Sequence, residues 1–141
     1  MKNFKHKTPI QIRFKDTDMM GHVNNSTYST YIESARLQYF KDVVSDGTDW
    51  SKQEGLILAR LEIDFRMPLF FGDEIFVYTR CSRLGTKSFD LDWIIVRLKN
   101  AMEEIAAEGK AVIVCFDYDT NQTVAVSEIR KTKMREFDNL V

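Results

Sequence analysis

Two features of one short stretch can carry out acyl chemistry together. Asp18 lies a few residues ahead of Asn24 and Asn25, which lead into an apolar, helix-like segment. The first N–H groups of a helix have no partner within the helix and lie at the positive end of its dipole, so they can hold a developing oxyanion. A nearby carboxylate can act as a general base or as a nucleophile. The stretch therefore predicts Asp18 as the reactive carboxylate and the backbone amides around Asn24 and Asn25 as the groups that polarise a carbonyl or thioester oxygen.

Each of these residues also has a purely structural interpretation. Asp before a Gly turn commonly bonds its own backbone, and taken from the residues alone this favours a turn role for Asp18. Asn24 and Asn25 suit a helix cap, which is compatible with oxyanion binding because a cap shapes the same amides. His22 can hold structure, position a substrate or transfer a proton, and the first two roles suit it better.

The elements that would position this stretch follow from hydrophobic periodicity. Alternation of apolar and polar residues predicts a strand over residues 8–15. Apolar positions spaced by three and four predict a helix over 25–44 that ends at Asp46-Gly47, followed by a polar loop over 49–55. Alternation then predicts strands over 61–67, 75–81, 89–98 and 105–118, and Ser127 is placed to cap a short second helix. This order describes an α+β domain in which one antiparallel β-sheet wraps a central helix.

Length and composition limit the classes of protein to consider. A chain of 141 residues with 44% hydrophobic and 12% aromatic residues predicts a single globular domain over 1–141. Twenty basic and 21 acidic residues give a formal charge of −1, so no overall field attracts nucleic acid or an anionic membrane. Cys81 and Cys115 each fall in apolar, strand-like sequence, which predicts buried free thiols rather than a disulfide or a metal site.

The first residues of the chain and the length of its apolar runs give an expectation for the cellular location of the protein. The first eight residues are charged and lack the apolar core of a signal peptide. No apolar run approaches the ~20 residues of a membrane-spanning helix. We therefore expect a cytoplasmic protein that does not bind membranes.

A wider pattern extends from the Asp16–Asn25 block through Tyr28 to the segment Tyr31-Ile-Glu33-Ser-Ala-Arg36. It resembles the 4-hydroxybenzoyl-CoA thioesterase-like branch of the hotdog-fold acyl-CoA thioesterases, with weaker echoes such as Phe65-Arg-Met-Pro68, as far as about residue 119. The resemblance implies a hotdog fold, an antiparallel sheet wrapped around one long central α-helix. It implies hydrolysis of an acyl-CoA thioester to free acid and CoA, with no metal and no cofactor beyond the CoA of the substrate. It also implies a homodimer or a dimer-built homotetramer with active sites at the subunit interface.

The resemblance assigns roles to individual residues. Asp18 becomes the catalytic carboxylate, and the backbone amide of Asn25 polarises the thioester carbonyl. Hydroxybenzoyl-specific members carry apolar or aromatic residues where this chain has 22–25, which favours a broad or fatty acyl-CoA substrate. Contacts with the acyl group and CoA are predicted at His22, Val23, Asn24, Tyr28, Tyr31, Arg83, Lys87 and Ser88. The last three flank a strand turn, where cationic side chains suit the phosphates of CoA and a solvated loop is an equal explanation.

Several alternatives stay open at this point. Asp16 is expected to shape the turn or to pair with a base such as Arg13. Glu33 is the rival catalytic carboxylate, because another hotdog branch draws its acid from the central helix, but Arg36 three residues later makes an ordinary helix ion pair the simpler explanation. An acyl-ACP thioesterase or a non-catalytic acyl-CoA-binding protein would use the same fold.

Overall fold

The computed structural model describes residues 1–45 and 54–141. Their elements in chain order are β1 (His6–Ile10), a 3₁₀ turn (Phe14–Asp16), α1 (Thr27–Tyr39), a π-helical continuation of α1 (Phe40–Val44), β2 (Glu54–Phe65), β3 (Glu74–Leu84), β4 (Ser88–Lys99), β5 (Met102–Asp117), β6 (Gln122–Thr123) and α2 (Glu128–Asp138). The predicted helix end at Asp46-Gly47 and residues 49–53 of the predicted loop lie outside the described residues. The loop was predicted to continue to residue 55 and the next strand to begin at 61, which is wrong, because β2 already begins at Glu54. None of the described helices is long and apolar enough to cross a membrane.

The strands of the described residues form one antiparallel sheet in the order β1-β3-β4-β5-β2, with the short β6 also paired to β5. Asn100 and Ala101 join β4 to β5 with φ values of 52° and 61°, as a tight two-residue hairpin requires. Inward-facing side chains of the sheet, such as Val77, Leu91 and Ile113, pack with the buried stripe of α1 into one core. The predicted α+β fold, a sheet wrapped around a central helix, is confirmed.

The first strand is shorter than the alternation predicts. β1 ends at Ile10, and the chain then bends into the 3₁₀ turn, which leaves the Phe14 side chain 77% exposed. The prediction of a strand over 8–15 with Phe14 on its apolar face is therefore wrong. The bend forms because the carboxylate of Asp16 accepts a hydrogen bond from the Arg13 N–H at 2.9 Å, and the Asp16 N–H donates to the Arg13 carbonyl at 2.9 Å.

The second helix closes the core near the end of the chain. Ser127 caps α2 as predicted, because its hydroxyl oxygen accepts the Arg130 N–H at 3.3 Å. At the other end of α2, the buried carboxylate of Asp138 accepts the Tyr39 hydroxyl at 2.6 Å and the Cys81 N–H at 2.8 Å. These bonds tie α2 to α1 and to β3. Cys81 is a buried free thiol, as predicted, and burial raises its pKa to about 12.

Candidate active site

Backbone hydrogen bonds hold the loop between the 3₁₀ turn and α1 against the chain that follows β2. The Asp18 N–H donates to the His22 carbonyl at 2.8 Å, and the Val23 N–H donates to the Leu69 carbonyl at 2.7 Å. Gly21 makes the tight turn between them with a φ of 83°, a conformation that costs little for glycine alone. The loop that carries Asp18 is therefore fixed on both sides, by its own backbone and by the segment around Leu69.

The two asparagines at the start of α1 have different roles. The Asn24 side-chain oxygen accepts the N–H and the hydroxyl of Ser26, each at 3.0 Å, so Asn24 is the residue that caps the helix start. The Asn25 side chain makes no such bond, and the Asn25 N–H has no acceptor anywhere in residues 1–45 and 54–141. The helix start therefore presents one unpaired backbone donor at Asn25, the position at which the sequence predicts an oxyanion donor.

A cavity of about 230 Å³ opens at this helix start. Four of its lining residues come from the loop and α1, and four come from the end of β2 and the turn after it: His22, Val23, Asn25, Tyr28, Phe65, Arg66, Met67 and Pro68. The rings of Tyr28 and Phe65 meet edge to face with centroids 5.0 Å apart. Burial raises the pKa of the Tyr28 hydroxyl above its usual value. The cavity thus has both polar and apolar walls, and the residue with the free N–H, Asn25, is one of those that line it.

The second half of this wall was not among the predicted site residues. The segment Phe65-Arg-Met-Pro68 resembles the corresponding segment of the family, and this resemblance was the only sequence feature that could have indicated it as part of the site. Periodicity predicts only that Phe65 and Met67 share one face of a strand. Contact between this segment and the helix start depends on how β2 is placed in the sheet, which no local pattern encodes.

Three carboxylates lie on the loop and on α1, and their environments differ. Asp16 is 5% exposed and accepts the Tyr31 hydroxyl at 2.7 Å, with the Arg13 guanidinium 3.5 Å away, as the predicted pairing requires. Glu33 is exposed and lies 3.8 Å from the Arg36 guanidinium, which is the predicted helix ion pair. Asp18 is exposed, and only its Oδ1 is bonded within the described residues, by the Met20 N–H at 2.9 Å.

The Asp18 carboxylate therefore takes part in the turn and still has Oδ2 available. Asp18 is not one of the residues that line the cavity. It lies beside His22, which does line it, through the hydrogen bond from the Asp18 N–H to the His22 carbonyl. The His22 ring in turn packs edge to face on Phe70, with centroids 5.4 Å apart.

The pKa of Asp16 reflects competing effects. Burial by itself raises the pKa of this carboxyl, but the hydrogen bonds donated by the Arg13 N–H and the Tyr31 hydroxyl outweigh burial, so its pKa lies below the usual value. Burial and the neighbouring carboxylate raise the pKa of Tyr31. Tyr31 does not line the cavity, and its described hydroxyl contact is structural. Its predicted contact with substrate stays a prediction.

The predicted CoA contacts lie at the opposite end of the sheet from the cavity. Ser88 pairs through Val114 with Ile57, whereas the cavity residue Phe65 lies eight positions further along β2, about 25 Å away at the usual rise per strand residue. Arg83 is paired with Asp90 through two hydrogen bonds of 3.0 Å, and Lys87 is exposed. Within a single chain, the fold therefore does not bring Arg83, Lys87 and Ser88 to the helix start.

A curled antiparallel sheet around one helix, with a free N–H and a carboxylate at the helix start, is an arrangement suited to acyl transfer. The chain belongs to the thioesterase-like superfamily, whose family model matches residues 12–135. It is 24% identical to the long-chain acyl-CoA thioesterase FadM of Escherichia coli K12, over 93% of this chain and 98% of that protein. It is 27% identical to the chloroplastic acyl-acyl carrier protein thioesterase ATL3 of Arabidopsis thaliana, over 76% of this chain and 57% of that protein.

Solved structures agree with this family. A thioesterase from Thermus thermophilus, complexed with coenzyme A and Zn, is 29% identical and has a TM-score of 0.84, covering 100% of this chain and 99% of that chain. The protein is therefore a thioesterase with the hotdog fold. The matches support this superfamily as a whole and do not single out its 4-hydroxybenzoyl-CoA branch.

The bonds to Asp16 predict a pH-dependent effect of Tyr31→Phe. Removal of the hydroxyl donor should lower the free energy of unfolding by about 2 kcal/mol near pH 7, the scale of a hydrogen bond to a charged group. The low pKa of Asp16 contributes stability above the unfolded pKa of about 4, and this stability is lost as the pH falls through the folded pKa. The difference between wild type and variant should therefore shrink from about pH 5 to pH 3.

Urea unfolding at pH 7, 5 and 3, at one protein concentration, measures this difference. Tyr118→Phe is the matched control, because Tyr118 is 59% exposed, and it should change little at any pH. A constant difference at all three pH values for Tyr31→Phe would contradict a role through the Asp16 carboxylate.

Proposed function

We propose that this protein is an acyl-CoA thioesterase that hydrolyses acyl-CoA to the free acid and CoA. The observation that carries the proposal is the unpaired N–H of Asn25, a residue that lines the cavity at the start of α1 and follows the loop of Asp18. The names of the relatives agree with it, since FadM acts on long-chain acyl-CoA and the Thermus thioesterase is complexed with coenzyme A. The acyl chain would lie along Val23, Tyr28 and Phe65.

In the proposed mechanism the thioester carbonyl oxygen accepts a hydrogen bond from the Asn25 N–H. The N–H and the positive end of the α1 dipole stabilise the negative charge that develops on this oxygen during attack. The donor is part of the backbone and is already positioned by the Asn24 cap, so no reorganisation is needed when the charge appears. His22 and Tyr28 line the same cavity and would orient the bound acyl group.

Asp18 would supply the base or the nucleophile. As a general base it takes a proton from water while the water oxygen attacks the carbonyl carbon, and the C–S bond then breaks to release the CoA thiolate, which is protonated. As a nucleophile its carboxylate attacks the carbon, CoA leaves, and water hydrolyses the resulting anhydride. Asp16 is held by Tyr31 and Arg13, whereas Asp18 retains Oδ2, and this difference supports Asp18 for either route.

The first test compares Asp18→Asn with Glu33→Gln. Asp18→Asn should fold and lose at least ~100-fold in kcat, the scale of lost acid–base catalysis, whereas Glu33→Gln should do much less. Steady-state hydrolysis with free thiol as the readout measures both, and Asp16→Asn serves to separate loss of folding from loss of chemistry. If Glu33→Gln abolishes turnover while Asp18→Asn stays near wild type, Glu33 is the catalytic carboxylate instead.

The second test addresses the backbone donor. Asn25→Pro removes the N–H and should lower kcat on the order of 100-fold, the usual scale for one oxyanion donor, in a position where proline is tolerated before a helix. Asn25→Ala keeps the N–H and should keep most of the rate. Since Asn24 carries the cap bond, Asn24→Ala rather than Asn25→Ala should lose about 1 kcal/mol of stability. If Asn25→Pro folds and its kcat is unchanged, the thioester carbonyl is polarised by a group other than the Asn25 N–H.

We further propose that the active site is completed by a second copy of the chain. Among the described strands β2 pairs with β5 alone and forms a long edge of the sheet, which association would cover. The cavity of about 230 Å³ is smaller than the ~300–1,000 Å³ of typical ligand sites. Exposed apolar side chains occur on the 3₁₀ turn, on the loop and on the turn after β2, including Phe14, Met20, Phe70 and Phe71. A homodimer, or a tetramer built from such dimers, would supply the missing wall.

Pairing of β2 with β2 of the partner, antiparallel about a two-fold axis, would also explain the position of the predicted CoA contacts. Such pairing puts the Phe65 end of one β2 beside the Glu54 end of the other. The partner's turn between β3 and β4 would then lie at the same end of the joined sheet as the cavity. An extended ligand such as CoA would reach both, with its phosphates near Arg83, Lys87 and Ser88.

Mixed dimers test this shared site. Lys87→Glu should raise KM for acyl-CoA, and Asp18→Asn should abolish kcat, so each homodimer is impaired. Refolding the two variants together at 1:1 should restore about a quarter of the sites to wild type, because half of the dimers are mixed and each has one intact site. A double variant, Asp18→Asn with Lys87→Glu, mixed with wild type is the control. Activity equal to the mean of the two homodimers would place both residues in one protomer's site.

A substrate screen determines which carrier, CoA or acyl carrier protein, and which acyl group the enzyme prefers. ATL3 is named an acyl-acyl carrier protein thioesterase, so an acyl group on acyl carrier protein is the second candidate substrate. Matched short, medium, long and aromatic acyl groups, each on CoA and on carrier protein, should show higher kcat/KM on CoA. A preference for the carrier protein with every acyl group would favour the second candidate.

A further inference from the structure

A second, much smaller cavity lies between α1 and the inner face of the sheet. Its volume is about 10 Å³, close to the least that one water-sized occupant needs, and it is lined by Ile32, Arg36, Thr79, Leu91, Trp93 and Ala111. Arg36 follows Asn25 by eleven residues, which is about 16 Å along a helix axis. This cavity shares no lining residue with the candidate active site.

Three of its lining residues have polar side-chain atoms without partners. Nη1 of Arg36, Oγ1 of Thr79 and Nε1 of Trp93 are buried, and none of them makes a hydrogen bond within residues 1–45 and 54–141. The residues are 8%, 2% and 1% exposed, and they come from α1, β3 and β4. Buried polar groups are almost always hydrogen-bonded, so three such atoms around one cavity indicate an occupant.

The chemistry of these three atoms specifies an acceptor. A guanidinium and an indole N–H donate hydrogen bonds and cannot accept them, while a threonine hydroxyl can do both. The described ionic partner of Arg36 is Glu33, whose carboxylate lies 3.8 Å from Nη2 and whose side chain is 61% exposed. Burial lowers the pKa of Arg36, yet a guanidinium stays charged in proteins. Glu33 thus meets the guanidinium from the solvent side at Nη2, whereas the buried Nη1 has no acceptor among the described residues.

We propose that this cavity binds a small monovalent anion of halide size, which accepts hydrogen bonds from Arg36, Thr79 and Trp93. The volume excludes polyatomic anions such as phosphate or sulfate. A water molecule would accept bonds from the two N–H groups but would add no negative charge beside the buried guanidinium, whose partner Glu33 is largely in solvent. A halide satisfies all three donors and the charge together.

The indole of Trp93 is held in place by the neighbouring strands. A Cβ built on Gly109 would lie 2.7 Å from the Trp93 ring and 1.9 Å from the Glu62 carbonyl oxygen, so glycine allows the indole to pack directly on β5. The Nε1 donor is thereby fixed in the core. Because the site joins α1 to β3 and β4, occupancy should stabilise the folded protein, and it should leave KM for the thioester unchanged.

Thermal unfolding of the full chain tests the proposal. Sodium gluconate is replaced by sodium chloride or bromide at constant ionic strength and protein concentration, and Tm should rise in a saturable manner by about 3–6 °C. Bromide-soaked crystals should show an anomalous scattering peak in contact with Arg36 Nη1. The same Tm in gluconate and in both halides, or a peak without anomalous signal, means that water occupies the site and overturns the proposal.

A pair of matched variants ties the effect to this cavity. Thr79→Val removes one donor without changing shape and should lose most of the halide-dependent rise in Tm. Thr8→Val is the control, because Thr8 is also a buried strand threonine whose hydroxyl has no partner within the described residues, but it does not line the cavity. Thr8→Val should keep the full halide response. Equal responses in the two variants would show that halides act elsewhere on the protein.

Discussion

The buried carboxylate of Asp16 joins the loop that carries Asp18 to the central helix. Its Oδ2 accepts both the Arg13 N–H and the Tyr31 hydroxyl, while its backbone carbonyl accepts the Asn24 N–H at 2.8 Å. One residue therefore ends the first strand, fixes the loop on α1 and sets the position of the helix cap. Because a buried charge is costly unless it is bonded, the chain around Asp16 has few alternative arrangements.

That constraint separates structural and chemical roles among neighbours of the same type. Asp16 uses its oxygens for the fold, which leaves Asp18 as the carboxylate with an open oxygen. Asn24 caps the helix, which leaves the N–H of Asn25, a residue that lines the cavity, without an acceptor among the described residues. In each pair one residue makes the structural bonds and the next keeps a polar atom free. A donor held in this way needs no movement to meet a developing charge, which is the basis of oxyanion stabilisation.

The central helix also brings a cation into the core. Arg36 lies on the buried face of α1 and lines the small cavity together with Thr79 and Trp93. An ordinary core would place an aliphatic residue there, because a charged group is costly to bury. The free N–H donor of Asn25 just ahead of α1 and the buried guanidinium within α1 thus lie on one continuous segment of the chain.

Local patterns in the sequence were enough to predict most elements of the fold and the stretch that holds the site. Alternation and helical spacing predicted the later strands and α1, and Ser127 predicted the start of α2, because these signals depend on near neighbours. The bend at Phe14 was missed, since it depends on a carboxylate that is buried by distant chain. The cavity wall at Phe65–Pro68, the division of roles between Asn24 and Asn25, and the distance of Arg83 from the helix start were decided by the tertiary structure alone. Strand register and helix packing set these positions, and both arise from contacts between residues far apart in the chain.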